Sequence, residues 1–219
     1  MTQNVFFFYL LQALDYDVFL ISSSVSYPIS HVIIGVRNVA ERDDVYLAEV
    51  GCGHPTFQAI PLNFQEESPV YQHSFLEYRF VKKGELIERQ HRRGDIRPLG
   101  PGQQPGTWRR FYDFTLEPRD LAFFREPMNT VYTVPGKFLQ SLRVITFQKD
   151  RLRAIKDWFL LEEQGDHTLR QTKIHSMSEM MAIIKEIAPK IDQDTVSKAL
   201  SHWQDASECR MSHHVSKIV

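Results

Sequence analysis

His31 and Glu49 are the residues of this 219-residue chain whose types and spacing point to shared chemistry. His31 opens the run His31-Val32-Ile33-Ile34-Gly35-Val36, and Glu49 lies in Tyr46-Leu47-Ala48-Glu49-Val50-Gly51-Cys52-Gly53. Both runs are β-branched and apolar, and the polar turn Ala40-Glu41-Arg42-Asp43-Asp44 separates them, which is a hairpin signal. A turn centred near Ala40 sets position 31 opposite position 49. Directly opposed residues of an antiparallel pair hold their Cβ atoms about 4.5–5.5 Å apart. A carboxylate there accepts from the imidazole Nδ1–H, fixes the tautomer and stabilises the imidazolium. This is two-thirds of a Cys-His-acid site. The chain's cysteines are Cys52 and Cys209, so none lies upstream of His31. The same pair is equally a structural hydrogen bond in a sheet, and the residues alone leave both readings open.

The elements that must position this pair can be read from pattern. Val5–Leu14 is an apolar run without a basic start. Gln12, Asp15 and Asp17 interrupt it before the ~20 residues a membrane span needs. It reads as a helix apolar on all sides and therefore buried, with Thr2 or Asn4 as cap. Asp17–Ser26 reads as a strand, and Tyr71–Val81 and Leu86–Gln90 as a strand pair around Lys82-Lys83-Gly84. The stretch 94–106 holds four glycines and three prolines and predicts an irregular loop. Trp108–Leu116 returns to strand character. Glu117–Phe124 reads as a short helix with Pro118 in its first turn. Leu139–Gln148 and Ala154–Leu161 read as strands. Ser176-Met177-Ser178-Glu179 is a capping box before Met180, Ile183, Ile184 and Ile187, which predicts a helix over 176–187. Thr195–Trp203 reads as a last helix, and the tail from Asp205 as disordered.

Composition bounds the class. Hydrophobic residues make up 42% and charged residues 24%, enough for a substantial core in one large or two small domains. A net charge of −1 gives no footprint for nucleic acid or an anionic membrane. Two cysteines make no disulfide framework and point to a reducing, cytoplasmic compartment. His202, Cys209, His213 and His214 lie in or near the tail, where no ordered element would fix ligand geometry, so no metal is expected. Arg92-Arg93 and Arg109-Arg110 read as solvated faces. His54 and His91 carry no partner signal.

The order of motifs resembles the arylamine N-acetyltransferase family. Asn4, Leu14-Asp15-Tyr16, His31, Glu49-Val50-Gly51-Cys52-Gly53 and Pro61-Leu62 fall as that family's Cys-x-x-x-Asn, Leu-Gly-Phe turn, strand-opening His and Asp-Val-Gly-Phe-Gly do. Phe111-Tyr112-Asp113-Phe114-Thr115-Leu116-Glu117-Pro118-Arg119 is similar to its Tyr-x-Phe-Thr-Leu-x-Pro stretch. Asp120 through Met128-Asn129 is similar to its Asp-Phe-x-x-Met-Asn, and Pro135-Gly136-Lys137-Phe138 sits where the family has Ser-Pro-x-x-x-Phe. The resemblance covers roughly residues 4–147 and is strongest over 4–62.

The resemblance implies an α+β fold related to papain-like cysteine enzymes. Its parts would be a remnant of an N-terminal helical domain (1–16), a central antiparallel β-barrel (17–116), a C-terminal α/β lid (117–204) and the tail (205–219). It implies acetyl transfer from acetyl-coenzyme A, through a cysteine thiolate, to an aromatic amine or hydrazine. His31 and Glu49 would be catalytic. Tyr27, Pro28 and Ser30 would contact the coenzyme, and Cys52 and Phe138 would line the acceptor pocket. Three departures stand out. The expected nucleophile falls immediately before Met1, so an N-terminally truncated, inactive chain is expected. Glu49 replaces Asp, and its extra methylene is expected to make an imperfect site, since errors near 1 Å cost on the order of 100-fold in rate. Cys52 replaces an aromatic, which raises the idea of a relocated nucleophile, although no helix dipole supports its thiolate. The alternatives are a non-catalytic remnant that binds coenzyme A or a protein, and a cysteine amidase or transglutaminase-like hydrolase, which the 114–118 and 129–138 matches disfavour.

Overall fold

The computed structural model describes residues 2–133 and 141–215, with side chains described through 130 and over 141–204. The chain divides into two compact units, Met1–Thr130 and Val131–Val219.

The first unit opens with α1 (Thr2–Ala13), followed by β1 (Asp17–Ser24), β2 (His31–Arg37), β3 (Val45–Ala48) and β4 (Ile60–Pro61). Then come β5 (Tyr71–His73), β6 (Leu76–Lys83), β7 (Leu86–His91) and β8 (Arg109–Arg119). These eight strands form one antiparallel sheet in the order β4-β3-β2-β1-β8-β7-β6-β5. No ladder among the described residues joins β4 to β5, so the sheet is a curled half-barrel. A 3₁₀ turn (Ala122–Phe124) and α2 (Arg125–Thr133) complete the series.

Period-two alternation gives each strand two different faces. The even residues Ile34 and Val36 of β2 pack with Ala48 against Phe7, Phe8 and Leu11 of α1. Leu20, Val32 and Phe124 form a neighbouring cluster with Val5 and Phe8. The odd residues turn to the other, inner face. There Phe19 is the Cα partner of Gly35 and Ser23 of His31. A Cβ at Gly35 would stand 2.3 Å from Phe19 Cζ, so this glycine makes room for the ring. Arg37 stacks over the same ring at 4.0 Å.

Several expectations give way here. The helix α1 is not buried all round: Phe6 is 71% exposed and Leu14 60% exposed. Only one side of it meets the sheet, so its other apolar side faces no described element. Asn4 is not a cap but an inward-turned, fully buried helical residue. The stretch 71–81 is two strands, because Ser74 at φ 54 turns the chain between β5 and β6. The helix expected over 117–124 is instead the end of β8, where Pro118 pairs with Ile21 and Arg119 with Leu20. Phe124 is in turn buried against Leu20 and Val32. Arg109, expected on a solvated face, is buried and paired with Asp95 at 2.7 Å.

The second unit is a meander of β9 (Arg143–Gln148), β10 (Arg151–Lys156), β11 (Phe159–Glu163) and β12 (Leu169–Lys173), followed by α3 (Met177–Ile187) and α4 (Gln193–Val215). Asp157 at φ 53 turns the chain within what reads as one strand over 154–161. Ser176 caps α3 by accepting from Glu179 N at 3.1 Å. Met180, Ile184 and Ile187 pack with Ile155, Ile174, Leu200 and Trp203. The backbone of α4 runs to Val215 rather than ending near Trp203, since 205–211 has no Gly or Pro and is rich in helix formers.

Gly35→Ala is expected to destabilise the first unit by about 1–3 kcal/mol, the usual cost of overpacking. Its urea-unfolding midpoint will fall, while in a Gly84→Ala control the new Cβ meets nothing within 4 Å and only the left-handed backbone at φ 65 is strained. An unchanged midpoint for Gly35→Ala would show that Phe19 does not need the space.

Candidate active site

The site is assembled from β2, the end of β3, α1 and the loop after β3. His31 Nε2 lies 2.8 Å from Glu49 Oε2, with the two side chains 7% and 0% exposed. The pair is therefore joined as expected, but by a different register and a different nitrogen. Ile34 pairs with Ala48 and Val36 with Tyr46, which sets position 49 one pleat along from position 31 rather than opposite it. Residues on one face that are diagonal across a strand pair are about 7–8 Å apart, within reach of a long side chain. The Glu49 side chain spans this diagonal and brings Oε2 to 2.8 Å from Nε2. Because Glu49 takes Nε2, Nδ1 of His31 is the nitrogen left for a reacting group. It has no hydrogen-bond partner among the described residues.

Glu49 is the convergence point of three elements. Its Oε1 accepts from Asn4 Nδ2 at 2.7 Å and from Gly51 N at 2.8 Å, while Oε2 faces His31. Asn4 also donates to Val32 O at 2.5 Å and accepts from Val50 N at 2.9 Å. A Cβ on Gly51 would approach Asn4 Cγ at 3.0 Å, so the loop passes close over this amide. Burial pushes the Glu49 carboxyl up. The charge of His31 and the hydrogen bonds from His31, Asn4 and Gly51 outweigh it and hold the pKa below the ordinary 4.5.

The inner face continues this site across β1, β8, β7 and β6. Ser23 pairs with both His31 and Phe114, Arg89 with Tyr112, and Phe80 with Arg89. The ladder of β7 and β8 shifts by one residue between Arg89 and Gln90. This bulge leaves Phe111 and Tyr112, consecutive residues, both buried. Tyr112 stands 6.2 Å from the His31 ring, and Phe111 stacks on His91 at 4.3 Å and meets His54 at 4.5 Å. Arg89 is fully buried. It donates to Thr56 Oγ1 at 2.8 Å and Pro55 O at 3.2 Å and lies over Tyr78 at 4.2 Å.

Sequence reasoning misses Arg89, Tyr112, His54 and His91. Only the alternation along β7 and β8, once their register is known, puts them on one face. Burial, then the charge of Arg89, drives the His54 pKa down to about 4 and holds His91 well below 6.5, so both are neutral at neutral pH.

Cys52, expected in the acceptor pocket, is half-buried, with Sγ 3.5 Å from His54 O and 3.8 Å from Arg89 Nη1. Burial, then the charge of Glu49, pushes its thiol up to about 12 against the pull of Arg89. Tyr27 and Pro28 are exposed in the turn between β1 and β2. Ser30 is buried, and its Oγ accepts from Val25 N at 3.0 Å while Ser24 Oγ accepts from Ile29 N at 3.2 Å. Ile29 in this turn has φ 54, a strained conformation for a β-branched residue. Phe138 and its neighbours from Pro135 lie outside the described residues, as does the Cys209 side chain. Among the described residues no group of three or more His, Cys, Asp or Glu gathers to hold a metal. No helix of the described residues is long and apolar enough to cross a membrane.

Asn4→Ala is expected to cost about 3 kcal/mol, since it leaves Glu49 Oε1, Val32 O and Val50 N short of a partner in a buried place. Urea unfolding monitored by circular dichroism measures it, and a loss under about 1 kcal/mol would mean that water replaces the amide. For Glu49, the unfolded chain takes up a proton near 4.5 while the folded chain resists until lower pH. Wild-type stability therefore falls as pH drops through this window. Glu49→Gln removes that titration, so its stability will be lower at pH 7 but flatter between about pH 5 and 3. Parallel acid limbs in the two proteins would contradict a depressed Glu49.

The family model described as N-acetyltransferase matches residues 1–189. A search of curated proteins returns no match. Among solved structures, the arylamine N-acetyltransferase from Mycobacterium abscessus superposes with a TM-score of 0.73 and 22% identity, covering 91% of this chain and 70% of that one. The Mycobacterium marinum arylamine N-acetyltransferase in complex with CoA gives 0.70 and 18%, covering 90% and 72%. The Salmonella typhimurium arylamine N-acetyltransferase gives 0.68 and 16%, covering 89% and 72%. These solved structures share the fold, and with the family match over most of its length the chain belongs to the arylamine N-acetyltransferase family.

Proposed function

We propose that this chain carries the imidazole and carboxylate of an acyl-transfer site that moves an acetyl group from acetyl-coenzyme A to an aromatic amine or hydrazine. The observation that carries this reading is the 2.8 Å contact of His31 Nε2 with a buried, ionised Glu49, which leaves Nδ1 for a thiol. In such a site Nδ1 takes the thiol proton, and the thiolate attacks the thioester carbonyl of acetyl-coenzyme A. Coenzyme A leaves as its thiol, with the proton returned by the imidazolium. The acceptor amine then attacks the acyl-enzyme while Nδ1 takes its proton, and the C–S bond breaks to release the acetylated amine and return the thiolate. Glu49 stabilises the imidazolium that exists between these steps. Coenzyme A is the donor, and the turn bearing Tyr27, Pro28 and Ser30 is the proposed contact for it. The likeness to a relative solved in complex with CoA supports that choice of donor.

The nucleophile of this reading is not among the described side chains. Cys52, with its thiol pushed up to about 12, is almost wholly protonated at neutral pH and lies beside a carboxylate rather than at a helix N-terminus. This specific observation favours a second reading for the 219-residue chain taken by itself: a coenzyme A- or protein-binding member without turnover.

The test is incubation with radiolabelled acetyl-coenzyme A, followed by denaturation and counting of the protein, alongside calorimetric titration with coenzyme A. The 219-residue chain is expected to bind coenzyme A, to weaken in that binding when Tyr27 is changed to Ala, and to retain no label. Stable label on Cys52 would overturn the assignment of that residue as inert. Absence of coenzyme A binding would remove the donor.

A further inference from the structure

The helix α1 is apolar on two opposite sides. Asn4, Phe8 and Leu11 turn toward the sheet, with Val5 and Phe7 beside them. Phe6, Tyr9, Leu10 and Ala13 recur at i, i+3, i+4 and i+7 and therefore share the outward side. All four are exposed, Tyr9 by 49% and Leu10 by 43%, and exposed Leu14 and Tyr16 extend the stripe past the helix end. The outward face of a surface helix is ordinarily polar and charged. No residue of α1 is charged, and its amides and hydroxyls are confined to Thr2, Gln3, Asn4, Tyr9 and Gln12.

The area of this stripe matches a specific contact. An aromatic side chain presents about 150–250 Å². On that scale Phe6, Tyr9, Leu10, Leu14 and Tyr16 leave on the order of 500 Å² of apolar surface in water. The largest apolar patch of a typical monomer is ~300–600 Å² and is often functional. Two copies of the stripe laid together remove about 1,000 Å² from water, the size at which a specific interface begins.

Charge identifies the occupant. No Lys or Arg precedes Arg37, so α1 lacks the basic flank with which an interfacial helix holds an anionic membrane. Its first turn has no acidic residue and its last turn no basic one, so neither end of its dipole is compensated along the chain. Asp15 stands instead just past the negative, C-terminal end. A second α1 lying antiparallel answers both ends, because its positive end comes beside Asp15 and the exchange is reciprocal. The uncharged stripes meet without like-charge repulsion. They are also self-complementary about Leu10: in that register Phe6 meets Leu14 of the second copy, and the two Leu10 side chains meet each other.

We propose that the outward face of α1 pairs with the same face of a second copy of this chain, antiparallel, about a two-fold axis at Leu10. The interface reaches the candidate site through the helix itself. Asn4 lies on the sheet-facing side of α1 and donates to Glu49 at 2.7 Å, so pairing of the outward sides holds α1 down on the carboxylate that orients His31. No part of this rests on the acetyl-transfer reading.

The test is sedimentation equilibrium of the 219-residue chain over a wide range of concentration. A dimer that dissociates on dilution is expected, with an unfolding midpoint that rises with protein concentration. Leu10→Glu and Leu10→Lys each set like charges across the axis and are expected to weaken the dimer at least about a hundredfold. An equimolar mixture of the two is expected to recover it, and Ile191→Glu, at an exposed position of the second unit, to leave it intact. Under mild oxidation Phe6→Cys chains are expected to cross-link to Leu14→Cys chains and not to one another, since only the first pair comes within disulfide reach. A monomer at every concentration overturns the proposal, whether or not it binds vesicles of anionic lipid. So does a dimer that survives in both folded Leu10 variants, or association that continues beyond the dimer, because an isologous pair closes. Cross-linking of Phe6→Cys chains to one another overturns the antiparallel arrangement. If the Leu10 variants do not fold, wild-type sedimentation and the cross-links still decide.

Discussion

A single buried carboxylate joins the parts of the first unit. Glu49 accepts from the imidazole of β2, from the Asn4 amide of α1 and from the backbone of the loop after β3. None of the three donors is near another in sequence, and the bonds from His31 and Asn4 each close a long stretch of chain. An ionised carboxylate with no exposed surface is stable only when its lone pairs are filled. Three donors reach it here, and the depressed Glu49 pKa comes from the same contacts. Orienting the imidazole and docking the first helix are therefore one event: the amide that holds α1 on the sheet also holds the acid that orients His31.

The sheet has two chemical characters. Its outer face is apolar and takes α1, through Ile34, Val36, Leu20 and Val32. Its inner face mixes aromatic rings with His31, Ser23, Arg89, His91 and Tyr112. A strand pair with a regular ladder could not bury both Phe111 and Tyr112 inward. The bulge opposite Arg89 and Gln90 does so, and places one ring against two histidines and the next beside His31. Polar groups left unpaired there reduce stability.

How much of this is legible in the sequence depends on whether a feature is local. The capping box at Ser176, the hairpin around Ala40 and the strand-opening His31 are all readable, because capping, turn chemistry and alternation act over a few residues. The burial of α1 is not, because an apolar run reports what a helix can bury and not how many neighbours it has. Phe6 and Leu14 are exposed although nothing in their composition says so. Glu117-Pro118-Arg119 carries a helix-start pattern, but pairing with β1 overrides it. Arg89 and Tyr112 are invisible as a pair, since their partnership is created by a ladder between strands separated by a long irregular loop.

The relation between residues 31 and 49 shows how a correct pairing can rest on an incorrect path. Position 49 is not opposite His31; it sits one pleat along, and the backbone leaves the ladder after Ala48. Glu49 on this backbone reaches Nε2 while its other oxygen accepts from Asn4 and Gly51. The same geometry selects which imidazole nitrogen is free. A carboxylate arriving diagonally meets Nε2, and Nδ1 is turned away from the acid. Register, side-chain length and tautomer are one constraint, and a change in any of them would have to be answered by the other two for His31 to keep both its partner and its open nitrogen.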